Sequence, residues 1–149
     1  MNNLPNKKPG FKCDHCQNWV SLEAIGTKNR NHCPFCLWSK HLDLATGDRQ
    51  SNCQGVMVPI GLTFKKEGID KYTKKPKQGE LILVHQCADC SKISINRIAG
   101  DDDASVIMRV FQYSLNISLA LREELKKQGI DLLQEKDRRE IEKQLGLTL

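Results

Sequence analysis

Three C-x-x-C pairs, few large side chains and a change of pattern near Gly100 together predict a small zinc-stapled, β-rich domain. The expected type is zinc-ribbon-like, with short antiparallel strands, followed by a C-terminal α-helical hairpin. Apolar residues make up 39% of the 149 and aromatics 5%, so large side chains alone would fill a single core poorly. Seven cysteines are the obvious additional staples. The first ten residues carry Lys7, Lys8, Pro5 and Pro9 and no apolar run of the kind a secretory signal needs, so a cytoplasmic location is expected. In that reducing compartment structural disulfides are rare, and an odd cysteine count argues against complete pairing. No stretch approaches the roughly eighteen successive apolar residues of a membrane span, so no membrane role is expected.

Charge divides the chain. Residues 1–100 hold 15 Lys and Arg against 8 Asp and Glu, a net +7, whereas residues 101–149 hold 8 against 10, a net −2. All seven cysteines and all four histidines lie before Gly100. The expected organisation is a flexible leader over 1–9, a zinc-binding domain over 10–100 with a lysine-rich insertion at 62–80, and a helical tail over 101–149.

Within the domain, Trp19 to Ile25, Leu37 to Leu44, Val56 to Phe64, Leu81 to His85 and Ile93 to Ile98 are strand-length runs punctuated by Gly, Pro, Asn and Asp. After Gly100, Asp101, Asp102 and Asp103 offer a helix N-cap and favourable negative charge. Apolar residues at Ile107, Val110, Phe111, Ile117, Leu121 and Leu125 follow at helical spacing, and Lys126, Lys127 and Gly129 suit a C-terminus. The second helix of the hairpin is expected after Asp131, capped by that residue with Gln134 answering, and running through Ile141 and Leu145.

Two cysteines separated by two residues turn both sulfurs toward one point, and two such knuckles complete a tetrahedron around a metal ion. Cys13-Asp-His-Cys16 and Cys33-Pro-Phe-Cys36, sixteen residues apart, have the spacing of a four-thiolate zinc module. Buried small hydrophobes are the plain alternative, and three such pairs in one short chain weigh against it. Thiol redox catalysis is the sharper rival, but it requires a βαβ setting that the surrounding strand-and-turn pattern lacks. Cys53, Cys87 and Cys90 remain for a second zinc ion, which then needs a fourth ligand. His41, midway between Cys36 and Cys53, is favoured over His85, which precedes Cys87 by two residues. A structural role on a strand is at least as good a reading of either histidine.

The stretch Arg30-Asn31-His32-Cys33-Pro34-Phe35-Cys36-Leu37-Trp38-Ser39 resembles the signature of the bacterial RNHCP domain family, named after those first five letters. An upstream C-x-x-C, His41 with Asp43, Gly47-Asp48-Arg49, Cys53 with Gly55 and Met57, Val84-His85 with Cys87 and Cys90, and Asn96-Arg97 with Ala99 follow the same order. The resemblance covers about residues 10 to 103 and departs in the lysine-rich segment and the tail. It implies zinc binding and carries no established biochemical activity.

Three classes of function fit unequally. Lys65, Lys66, Lys71, Lys74, Lys75 and Lys77, with Phe64 and Tyr72 among them, have the ingredients of a contact to RNA or single-stranded nucleic acid. A solvated lysine hairpin is the commoner explanation of such a segment. Alternatively the apolar stripe of the tail binds a protein partner, although packing within the chain is the simpler use for it. An enzyme is not expected, because no nucleophile triad, phosphate loop or placed base accompanies the thiolates.

Overall fold

The computed structural model describes residues 10–21, 32–40 and 55–147. Strands β1 (Gly10–Lys12) and β2 (Trp19–Ser21) form a short antiparallel hairpin with Lys12 opposite Trp19. Strands β3 (Ser39–Lys40), β4 (Val56–Phe64), β5 (Leu81–Cys87) and β6 (Ile93–Arg97) form an antiparallel sheet in that order. The runs expected at Val56–Phe64, Leu81–His85 and Ile93–Ile98 are therefore strands, within two residues of the expected ends. Pro59 has no N–H to give the ladder, and the β4–β5 register shifts between Pro59 and Gly61, which absorbs it as a bulge.

Alternation on β5 sends Leu81 and Leu83 to one face and Ile82 and Val84 to the other, and all four are buried. Helix α1 (Ala104–Ser114) covers the first face, where Ile107, Val110 and Phe111 join Leu62, Leu81, Leu83 and Ile141 in one cluster. Leu125 of α2 (Leu119–Lys127) joins Ile60, Val84 and Leu132 in the second cluster. The helices thus complete the sheet's own core. No single helix among the described residues is long and apolar enough to cross a membrane.

The expected two-helix hairpin is instead three helices. Asp103 caps α1 through the backbone N–H groups of Ser105 and Val106, in keeping with the aspartate run. The helix then stops at Ser114, and α2 starts after Ser118, whose side chain accepts from the Leu121 N–H, with a bend of 106° between them. That bend carries the chain from one face of the sheet toward the other. The second expected start, at Asp131, also fails. Leu132 and Leu133 point into different clusters, which requires extended backbone, and Leu133 N–H donates to the Leu62 carbonyl at 2.9 Å. This segment covers the part of β4 that lies beyond its two-residue pairing with β3, a stronger demand than a cap at Asp131. The capping box moves on to Gln134 and Asp137, and a 3-10 turn (Glu135–Asp137) leads into α3 (Arg138–Gln144).

Candidate metal centre

The first knuckle lies in the β1–β2 hairpin and the second between the His32–Ser39 bridge partners. In the first, Cys13 N–H donates to the Asn18 carbonyl and Gln17 N–H to the Cys13 carbonyl, both at 2.9 Å. In the second, Cys33 N–H donates to Trp38 at 3.0 Å and Leu37 N–H to Cys33 at 2.7 Å. Each turn requires a left-handed residue just after its second cysteine, and Gln17 and Leu37 both have φ of 69°. Backbone N–H groups also point at sulfur, from Cys16 to Cys13 Sγ at 3.5 Å and from Phe35 to Cys33 Sγ at 3.4 Å. Such donors stabilise thiolate over thiol.

Across the two knuckles, Cys13 Sγ lies 3.6 Å from Cys36 Sγ, and Cys16 Sγ lies 3.5 Å from Cys33 Sγ. All four sulfurs fall within 4.8 Å of one another. A tetrahedral ion with sulfur at about 2.3 Å separates its ligands by about 3.8 Å, so the four thiols fit one zinc ion. Cys13, Cys16, Cys33 and Cys36 would hold it, and four thiolates leave no position for a reacting water.

The acidities say what these sulfurs need. Burial pushes the Cys33 thiol up to about 11, against the pull of the Cys36 and Phe35 backbone N–H groups, and burial likewise raises Cys36. Cys16 feels burial too, but the Asn18 backbone and side-chain amides and the neighbouring thiols outweigh it and bring the group down to about 7. One sulfur is ready to ionise and two resist. Packing four thiolates together requires a cation to cancel the repulsion, so the donor set fits a divalent metal.

Around the centre, His15 from the first knuckle stacks on Trp38 beside the second, with ring centroids 3.8 Å apart and planes 4° from parallel. His32 is buried with Nε2 2.6 Å from Asp102 Oδ2, which also accepts the Ala99 N–H. The Asp103 N–H donates to the Pro34 carbonyl, so the start of α1 is tied directly to the second knuckle. In the sequence Asp102 stands out only as helix-capping charge. Its partner lies 70 residues away, and no local pattern reveals the pair.

His85 is the other buried histidine. Asn96 Nδ2 donates to its Nδ1 at 2.8 Å, and its Nε2 faces the Leu37 carbonyl at 2.6 Å, so Nε2 carries the proton and donates. Both ring nitrogens are thereby used, which removes His85 as the alternative zinc ligand. His41 and Cys53, the other two residues expected at the second site, lie outside the described residues.

Cys87 and Cys90 close the β5–β6 turn. Cys87 N–H donates to Lys92 at 2.8 Å, Ser91 N–H to Cys87 at 3.0 Å, and Cys90 N–H points at Cys87 Sγ at 3.5 Å. Ser91 has φ of 65°. In all four respects this turn repeats the first knuckle, and it shares with the second the two backbone bonds and the left-handed residue.

The six lysines expected at a nucleic-acid contact are all exposed and sit on a hairpin that prolongs β4 and β5. Lys65 N–H donates to Glu80, Lys77 N–H to Gly68 and Asp70 N–H to Lys75, at 2.8 to 2.9 Å. The Asp70 carboxylate accepts from Tyr72 and Thr73 and builds the tip. At the base, a Cβ on Gly79 would lie 1.7 Å from the Lys65 carbonyl oxygen, so only glycine fits.

No curated protein and no solved structure matches the chain. A model of the RNHCP domain matches residues 8–108, which takes in both knuckles of the four-sulfur centre, the third knuckle, His32, His85, Asn96 and Asp102. With two thirds of its length so matched, from residue 8 into α1, the chain belongs to the RNHCP domain family.

Proposed function

We propose that this chain is a non-catalytic zinc-binding protein that holds RNA or other single-stranded nucleic acid, weakly and with little sequence preference, along the hairpin from Lys65 to Lys77. The carrying observation is the form of that hairpin. Its backbone is hydrogen-bonded from base to tip, all six lysines face solvent, and Tyr72 stands 82% exposed at the tip with Lys71 Nζ 5.2 Å from its ring. Lysines that neutralise phosphates release counterions, and an exposed aromatic gives an unpaired base a surface to stack on. The closed four-sulfur set supports a scaffold and not a reaction centre. The reading includes two zinc ions, the second drawing on Cys87 and Cys90. A protein-binding role for the C-terminal helices has less to rest on, since Ile107, Phe111, Leu125 and Ile141 are spent on the sheet.

Fluorescence anisotropy with a single-stranded RNA oligomer tests the nucleic-acid role. Replacing Lys71, Lys74, Lys75 and Lys77 by Gln is expected to weaken binding at least tenfold and to flatten the salt dependence, by roughly 0.7 in log–log slope for each phosphate that is no longer neutralised. Metal content should not change. Absence of binding at low salt, or a variant that binds as tightly as the parent, would overturn the reading.

A further inference from the structure

We propose that Cys87 and Cys90 are half of a second thiolate metal site for zinc, and that this site, unlike the first, exchanges its metal readily with solvent. The inference rests on the zinc-binding part of the reading above and is independent of the nucleic-acid part.

A C-x-x-C turn forms a metal knuckle when its backbone holds both sulfurs on one side and directs amide hydrogens at them. Cys13–Gln17 and Cys33–Leu37 do this, and their sulfurs converge on one point. Cys87–Ser91 reproduces the same carbonyl-to-amide closure, the first knuckle's N–H to sulfur contact and the same left-handed residue. Ser91 gains nothing from φ of 65° as a simple hairpin turn, where glycine or asparagine is the ordinary choice.

The space beside the sulfur is shaped as well. Ala88 N–H donates to the Val56 carbonyl at 2.9 Å, and a Cβ on Gly55 would stand 2.8 Å from Cys87 Sγ. The chain therefore enters β4 directly against this thiol, and only glycine allows that approach. His85, the nearest histidine in sequence, is committed to Leu37 and Asn96, so it does not complete the set.

Exchange follows from exposure. At the first centre Cys13 and Cys33 are buried against Val20 and Cys16 and Cys36 are half-buried, so none of the four sulfurs is as open to a chelator as an exposed thiol. At the third knuckle Cys87 is buried but Cys90 is exposed, and its neighbours Ala88 and Asp89 are exposed as well. A competing ligand can attack at the outer sulfur without any unfolding.

The test uses the zinc-loaded full chain, with native mass spectrometry for the count and EDTA with a metallochromic dye for the release. Two zinc ions are expected, leaving in two phases of equal amplitude whose rates differ at least tenfold. Cys90→Ser should remove the fast phase and keep the slow one. One zinc ion released in a single phase, or two zinc ions in the Cys90→Ser protein, overturns the second site and leaves the first standing. Two ions leaving at one rate overturn the exchange. No bound zinc at all overturns the zinc reading itself. Should Cys90→Ser fold poorly, the count and phases of the parent protein alone decide.

Discussion

Removing the zinc ion from the four-sulfur centre is expected to unfold residues 10–21 and 32–40, the short strand β3 with them, while strands β4 to β6 and the helices stay folded. The reason is what each part has for a core. Around the centre the buried cluster is Cys13, Val20 and Cys33, with Cys16 and Cys36 against it, so among the described residues Val20 is its one buried aliphatic side chain. One such side chain stabilises by about 1.5–3 kcal/mol, against the apparent 10–16 kcal/mol that a structural zinc ion contributes in small zinc-dependent domains. The metal contribution decides. The sheet, in contrast, has two apolar clusters of its own, and it loses only Leu37 from the first when the knuckle detaches. Hydrogen exchange with and without metal reads this directly. The amides of Cys13, Gln17, Cys33 and Leu37, all hydrogen-bonded within the knuckles, should lose protection, and those of β5 should keep most of theirs. Cys16→Ser should give the same pattern at full zinc supply. Protected knuckle amides in metal-free protein would mean that the fold, and not the ion, holds the centre together.

What the sequence discloses and what it hides follow from the range of the interactions. Knuckle spacing is a local signal, so Cys13, Cys16, Cys33 and Cys36 are legible as one site, and the structure brings their sulfurs together. Alternation and punctuation place β4, β5 and β6, and the Asp103 cap places the start of α1. The helical pattern across Leu115–Ser118 misleads because Ile117, Leu121 and Leu125 keep the helical period while facing a different cluster from Ile107 and Phe111. Asp131 misleads because the part of β4 beyond its short pairing with β3 takes a hydrogen bond from Leu133, a demand that no window around residue 131 contains. The His32–Asp102 pair and the His85–Leu37 contact join segments 70 and 48 residues apart. A family signature marks such residues as a set, but only the fold shows that His32 meets Asp102 and that His85 joins the Leu37 carbonyl to Asn96.

His85→Ala is expected to cost about 3–5 kcal/mol without lowering the zinc content. The imidazole is fully buried, and its loss leaves the Leu37 carbonyl without its donor, opens a cavity and takes an acceptor from Asn96. Asn96→Ala removes one of the same bonds and should cost less, about 1–2 kcal/mol. The neutral ring matters as much as its shape. Burial, with His32 nearby adding to the effect and the Leu37 carbonyl opposing it, lowers His85 to about 4 from the usual 6.5. The native state therefore binds fewer protons than the unfolded chain between those values. This contribution to stability is complete above about pH 6.5, falls as the pH drops toward 4, and then levels off, amounting to about 3 kcal/mol. A zinc ion near the ring would push in the same direction, since a cation further disfavours imidazolium. Nitrogen NMR of zinc-loaded protein should show His85 as the Nε2–H tautomer, unchanged between pH 7.5 and 5. Urea denaturation at pH 7.5 should rank His85→Ala below Asn96→Ala, and both below the parent. A midpoint near 6.5 for His85, or a loss under about 1 kcal/mol on its truncation, would show that this histidine does not hold the knuckle to the sheet; a loss of zinc in the variant would return it to the ligand set.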